Sequence, residues 1–189
     1  MAFMAQIRLS DVPGAEDAGD TLASFHYCEE CTHDGAMSFG WDDRDPPPRR
    51  YDVRFFEDAA TLVPDGLGAR TPPVLPSRSV RLRRVVEVPT PLDVGLEDGD
   101  SPDDYPSGED DLDENLYRGL LHVPRSKIGG WPSWVQETAW PRHDRTWRFL
   151  AQFDWVLGAD ASWGGGGYAY LFFRRTRDRW EGELGIQTT

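Results

Sequence analysis

The 189-residue sequence predicts an α+β fold that is predominantly β, with internally duplicated β-rich units packed into one compact domain. Three observations carry that expectation. A five-residue phrase occurs twice, as Phe3-Met4-Ala5-Gln6-Ile7 and as Phe149-Leu150-Ala151-Gln152-Phe153, each followed at nearly the same distance by an aromatic-rich segment. Short apolar or alternating runs recur with the two-residue period of strands. Pro46-Pro47-Pro48, Pro72-Pro73, Pro76, Pro89 and Pro91 deny the first half any long helix, because proline lacks the amide donor and collides with the preceding turn.

The elements follow in order. Ala2 to Leu9 is short and apolar and ends at the turn-forming run Ser10-Asp11-Val12-Pro13-Gly14, which suits a strand. Leu22 to Cys28 is its successor. Tyr51 to Phe55 alternates cleanly, and Ser79 to Val88 does much the same through Val80, Leu82, Val85 and Val86, so both read as half-buried strands. Leu116 to Val123 reads as a short helix or strand, and Lys127 to Pro132 as a turn around Gly129 and Gly130. Phe149 to Trp155 and Tyr168 to Phe173 repeat the N-terminal strand pair, and Trp180 to Ile186 closes the chain as a last strand. Aligning the two copies gives an offset of 146 at the first phenylalanine pair (149 minus 3) and 147 at the second (172 minus 25), which one insertion reconciles. The expected organisation is a first β-rich repeat over 1–92, an acidic mobile loop over 93–115, and a second repeat over 116–189 that shares the core of the first.

The formal net charge of -13 is concentrated. Asp93 to Glu114 holds 11 acids and no base, so the remainder carries 22 acids against 20 bases. No basic patch stands out, and nucleic acid is not an expected partner. The acidic stretch has too little apolar surface to offset the entropy of ordering it, and it lacks the ligand spacing of a calcium loop. Nothing approaches the roughly 20 apolar residues of a membrane span or a secretory leader, so no membrane association and a cytoplasmic location are expected. Oligomeric state stays open.

Cys28 and Cys31 are the only cysteines, and with His26 and His33 they make the one cluster with metal-ligand chemistry. Two thiolates spaced by two residues can grip zinc, with imidazoles completing the tetrahedron. The alternative is a pair of uncomplexed thiols at a strand end. Seven of the eight tryptophans lie between Trp131 and Trp180, as core filling or as the wall of a ligand cleft. A cleft, or a partner groove, would draw on Lys127, Gly129, Gly130, Trp131, Trp134 and Gln136, together with Gln6 and Gln152, which occupy equivalent places in the two copies amid apolar neighbours. No serine-nucleophile elbow, phosphate loop, dinucleotide fingerprint or metalloprotease helix is present.

Lys127 to Gln136, the Phe149 to Gln152 phrase, Trp163-Gly164, the run from Gly166 to Phe173, and the Gln6 strand followed by Phe25-His26-Tyr27-Cys28 together resemble the YwqG-like family of bacterial proteins. The resemblance implies a β-rich duplicated fold, bacterial origin, a cytoplasmic location and no established reaction. Members carry more residues before the first phrase than the Met1 and Ala2 found here, which implies a truncated start or a missing leading element. Members also show a cysteine pair before the second phrase, where this chain reads Pro141 to Thr146 without one, so a second metal site does not carry over.

The function these observations favour is a non-enzymatic binding or interaction module with a protein partner. Three alternatives stand beside it: a small structural zinc protein using Cys28 and Cys31, a toxin-neutralising protein whose acidic loop meets a basic toxin surface, and an enzyme acting on a small molecule in an aromatic cleft.

Overall fold

The computed structural model describes residues 2–27, 51–58, 80–87, 89, 126–136, 139–141, 144, 146–154 and 167–187. They form two antiparallel sheets. The first has the order β1 (Ala2–Arg8), β2 (Leu22–Tyr27), β3 (Tyr51–Phe56). The second has the order β4 (Lys127–Ile128), β5 (Arg148–Asp154), β6 (Tyr168–Arg175), β7 (Trp180–Gln187). Two one-turn 3₁₀ segments, Leu9–Asp11 and Glu16–Ala18, lie between β1 and β2, and the described residues are mostly β.

The two ladders coincide residue for residue. Phe3 pairs with His26 and Phe149 with Phe172, Ala5 with Phe25 and Ala151 with Leu171, Gln6 with Ser24 and Gln152 with Tyr170. Every one of these positions is related by the same offset of 146, and both connections between the paired strands contain 13 residues, 9–21 and 155–167. The ladders thus match without the insertion that phenylalanine alignment requires: the counterpart of Phe25 in the second ladder is Leu171, not Phe172. Each first strand also carries an irregularity at the same place, between Phe3 and Ala5 and between Phe149 and Ala151.

That bulge explains the repeated phrase. In a regular strand, residues three apart point to opposite faces. An extra residue in the strand restores them to one face, so Leu150 and Ala151 both enter the core while Phe149 and Gln152 both look outward. Met4 likewise packs on the core, while Phe3 and Gln6 are exposed.

The inner faces of both sheets meet in one apolar cluster that includes Ile7, Ala23, Phe25, Tyr27, Leu150, Leu171, Phe173 and Leu184. Phe25 stacks on Phe153 at 5.9 Å, and Phe55 on Trp180 at 6.1 Å. Tyr51, Val53 and Phe55 pack against this cluster, as their alternation predicts. β3 and β7 come close at Gly182, where an added Cβ would lie 2.6 Å from Val53. Arg148 adds a polar tie between the units, bonding the Gly14 carbonyl at 2.9 Å and the Asp17 carboxylate at 2.7 Å.

One expected strand, at 79–88, joins no sheet among the described residues. Residues 80–87 belong to no ladder among the described residues, and Val80, Leu82 and Val86 are 72%, 62% and 76% exposed. Alternation is necessary for a half-buried strand but does not supply a neighbouring strand to bond to. The expected element at 116–123 and the acidic loop at 93–115 lie outside the described residues.

Candidate functional site

The outer face of the second sheet is roofed by the segment that follows β4. Trp134, Trp147, Phe149, Tyr168, Tyr170 and Phe172 form a second buried cluster, with Trp140 packed against it. Trp134 lies 4.8 Å from Tyr170 and 6.0 Å from Phe172, ring to ring. Trp140 bridges Trp131, Trp134 and Phe172.

Side chains of the sheet fasten this roof through its backbone. The Gln152 carboxamide oxygen accepts the Ser133 N–H at 2.9 Å, and the Gln187 oxygen accepts those of Val135 and Gln136 at 3.1 and 3.2 Å. The Tyr170 hydroxyl donates to the Ser133 carbonyl at 2.8 Å. Burial pushes the Tyr170 phenol up, so it remains a donor at any physiological pH. Gln152 is fully buried, yet its Nε2 has no partner among the described residues.

At the start of the roof sits a charged centre. Lys127 Nζ donates to Glu87 Oε1 at 2.9 Å and to Ser133 Oγ at 2.8 Å, and it lies 5.9 Å from the centre of the Phe149 ring. The Trp131 N–H donates to the other carboxylate oxygen of Glu87 at 3.0 Å. Both charged side chains are only 8% exposed. Gly129 and Gly130 have positive φ of 66° and 78°, a turn conformation that glycine adopts without strain. At Gly130 a Cβ would stand 2.5 Å from the Glu87 carboxylate, so the missing side chain is also what lets the carboxylate approach.

Among the groove residues expected from sequence, Lys127, Gly129, Gly130, Trp131, Trp134, Gln136 and Gln152 come together here. Gln6 does not: it is exposed on the first sheet, because no segment equivalent to the roof covers it among the described residues. Its counterpart Gln152 is fully buried. Glu87, Ser133, Tyr170 and Gln187 were not singled out from sequence. Glu87 is 40 residues from Lys127, and no local pattern links them.

Of the metal cluster, Cys28, Cys31 and His33 lie outside the described residues. His26 is described, and its Nε2 is 2.9 Å from Ser24 Oγ, with the Phe3 ring at 5.7 Å. Burial lowers its pKa first, helped by Arg54 and opposed by Asp52. Among the described residues no group of three or more His, Cys, Asp or Glu is placed to hold a metal, and no helix is long and apolar enough to cross a membrane.

Against family models, residues 1–178 match a domain of unknown function, DUF1963. The chain belongs to this family. Comparisons with curated proteins and with solved structures found no match. The family carries no reaction or ligand with it, so the chemistry of the chain rests on its own geometry.

Proposed function

We propose that this DUF1963 chain is a non-enzymatic protein-interaction module, with the exposed segment at 80–86 as its docking element. One observation carries the reading: Val80, Leu82 and Val86 are exposed on a segment with no ladder partner among the described residues, whose other large apolar groups are mostly packed away. Exposed apolar groups at alternate positions are the material from which an added strand can be built on binding, with main-chain bonds for affinity and alternate side chains for specificity. Arg81, Arg83 and Arg84 lie between them, and no described residue pairs with these cations. Their charge favours an acidic partner surface and speeds encounter with it.

The organisation proposed alongside is two repeats, over 1–92 and 116–189, descended from one duplicated three-stranded unit of the YwqG-like type in a cytoplasmic bacterial protein. The shared offset of 146, the matched bulges and the equal connections support the duplication. Zinc at Cys28 and Cys31 remains a second, sequence-based proposal, tested by zinc content that disappears in Cys28→Ser.

The docking reading is tested by capturing proteins from the source cell on the wild-type chain and on Leu82→Ser/Val86→Ser. Any partner is then remeasured with both components purified. The expected result is binding that slows amide exchange over 80–86 and is lost in the variant. Undiminished binding by a folded variant removes the segment from the interaction.

A further inference from the structure

We propose that a second copy of this chain is a partner of the 80–86 segment: the segment of each protomer adds to the β1 edge of the other, in a two-fold dimer. The inference rests on the docking reading for its use of 80–86, and adds to it the occupant and the place of contact.

The correspondence of the two sheets sets the place. β5 has β6 on one side and β4 on the other, with Lys127 opposite Gln152 and Ile128 opposite Ala151. β1 is the counterpart of β5, yet it has β2 on one side and no strand on the other among the described residues. Its residues equivalent to Ala151 and Gln152 are Ala5 and Gln6. A strand arriving in the position of β4 therefore pairs with Ala5 and Gln6. An edge of seven residues is a template for such an addition.

The segment fits that position in pattern and in charge. In β4 the cation Lys127 lies over the outer-face ring of Phe149, and Ile128 packs against the core. Arg81-Leu82 offers the same order, a cation and then an apolar group. Antiparallel pairing sets Arg81 opposite Gln6, Leu82 opposite Ala5 and Val80 opposite Ile7, and keeps Arg81 and Arg83 on the outer face, where the Phe3 ring is 50% exposed. The connection 9–21 leaves the end of β1 with Asp11, Glu16, Asp17 and Asp20, all exposed, and no base. Leu9, Val12, Ala15 and Ala18 are buried beneath it and fix its course. Asp17 is bonded to Arg148, whereas Asp20 lies 3.6 Å from Arg8 with both side chains largely exposed. Arginines meeting these carboxylates steer encounter and set which ends come together.

Both halves of the contact are accessible in the folded chain and do not meet within it. Val80, Leu82, Val86 and Phe3 are exposed, and no hydrogen bond or ion pair joins 80–86 to residues 2–21 among the described residues. Glu87, bonded to Lys127 and to the Trp131 N–H, fixes the root of the segment. A two-fold arrangement occupies both edges and closes, whereas one-way addition would run on from chain to chain.

Sedimentation of the purified chain between about 1 and about 200 µM should show the 21.4 kDa monomer passing into a dimer. Leu82→Ser/Val86→Ser should weaken that dimer by about tenfold or more. A charge swap then decides the contact. Arg81→Glu/Arg83→Glu and Asp11→Lys/Asp20→Lys, each shown to be folded by circular dichroism, should be monomeric alone and form a one-to-one dimer when mixed, because both contacts in the mixed dimer again join opposite charges. Slowed amide exchange over 2–8 and 80–86 should accompany it. A wild-type chain that stays monomeric, a dimer that Leu82→Ser/Val86→Ser leaves intact, or swapped variants that stay apart on mixing would overturn the proposal. Protection of 2–8 by a different captured protein and by no second copy would give the edge to that protein and overturn it too. The docking reading fails separately, when neither a captured protein nor a second copy slows exchange over 80–86.

Discussion

The outer faces of the two sheets share one backbone plan and differ in almost everything their side chains do. Phe3 and Phe149 occupy equivalent ladder positions, as do Gln6 and Gln152, Ser24 and Tyr170, His26 and Phe172. On the second sheet this face is aromatic and roofed, and its glutamine is fully buried. On the first it is polar, with Phe3 half exposed and Ser24 bonded to His26. Ladder register therefore fixes which residues share a face, while the covering segment decides whether that face becomes core.

The phenylalanine pair gives the widest contrast. Phe149 is 5% exposed and packs against Phe172 at 5.8 Å, whereas Phe3 is 50% exposed. Phe149→Ala is expected to cost about 3–5 kcal/mol, as a buried aromatic truncation does. Phe3→Ala should cost about 1 kcal/mol or less. Urea unfolding of the two variants side by side checks this, and equal losses would mean that Phe3 is also part of a packed surface.

A second contrast lies where the two sheets meet. The ladder position of Tyr51 in the first sheet is taken by Gly182 in the second. The Tyr51 hydroxyl donates to the Glu183 carboxylate beside it. Gly182→Ala forces a Cβ against Val53, part of a strand rather than the end of a flexible side chain. The expected loss is about 1–3 kcal/mol, the range for overpacking. A variant as stable as wild type would show that the sheets can separate at β3 and β7 without penalty.

The glutamines come next. Gln152→Leu removes the acceptor for the buried Ser133 N–H while also removing an unpartnered amide, so the net cost should be about 1–2 kcal/mol. Gln6→Leu, at the exposed site, should stay within about 0.5 kcal/mol. Thermal unfolding of both variants measures how much of the difference belongs to the roof.

Much of this frame was legible in the sequence, and the reasons for the failures are physical. Six strands were readable because periodicity and turn residues are local, and so was the correspondence of the two Phe-x-Ala-Gln phrases. The bulge was not, because two-residue alternation places Phe149 and Gln152 on opposite faces and only an irregular ladder reunites them. Val80 to Val86 has the pattern of a strand, yet strand formation needs a neighbour that pattern does not reveal. Within the candidate site, Lys127, Gly129, Gly130 and Trp131 could be singled out from a compact stretch. Glu87 could not, since the pairing depends on a chain reversal over 40 residues. The different fates of Gln6 and Gln152 were equally hidden, because burial here comes from a separate segment.

The finest probe of the comparison is pH, since His26 titrates on the open face where Phe172 stands on the roofed one. Burial is the main reason its pKa falls below 6.5, with Arg54 adding to the effect and Asp52 opposing it. The folded chain therefore binds a proton at His26 less readily than the unfolded chain does. Stability from this group is complete above pH 6.5 and is lost as pH falls through the lowered folded value. The effect should be modest, because the imidazole is only partly buried. His26→Gln should flatten that portion of the stability profile between pH 7 and pH 5, measured by urea midpoints, while Phe172→Leu should leave its slope unchanged. An unaltered slope in His26→Gln would mean that the open face solvates the imidazolium as well as water does, and that the contrast between the two faces is one of packing alone.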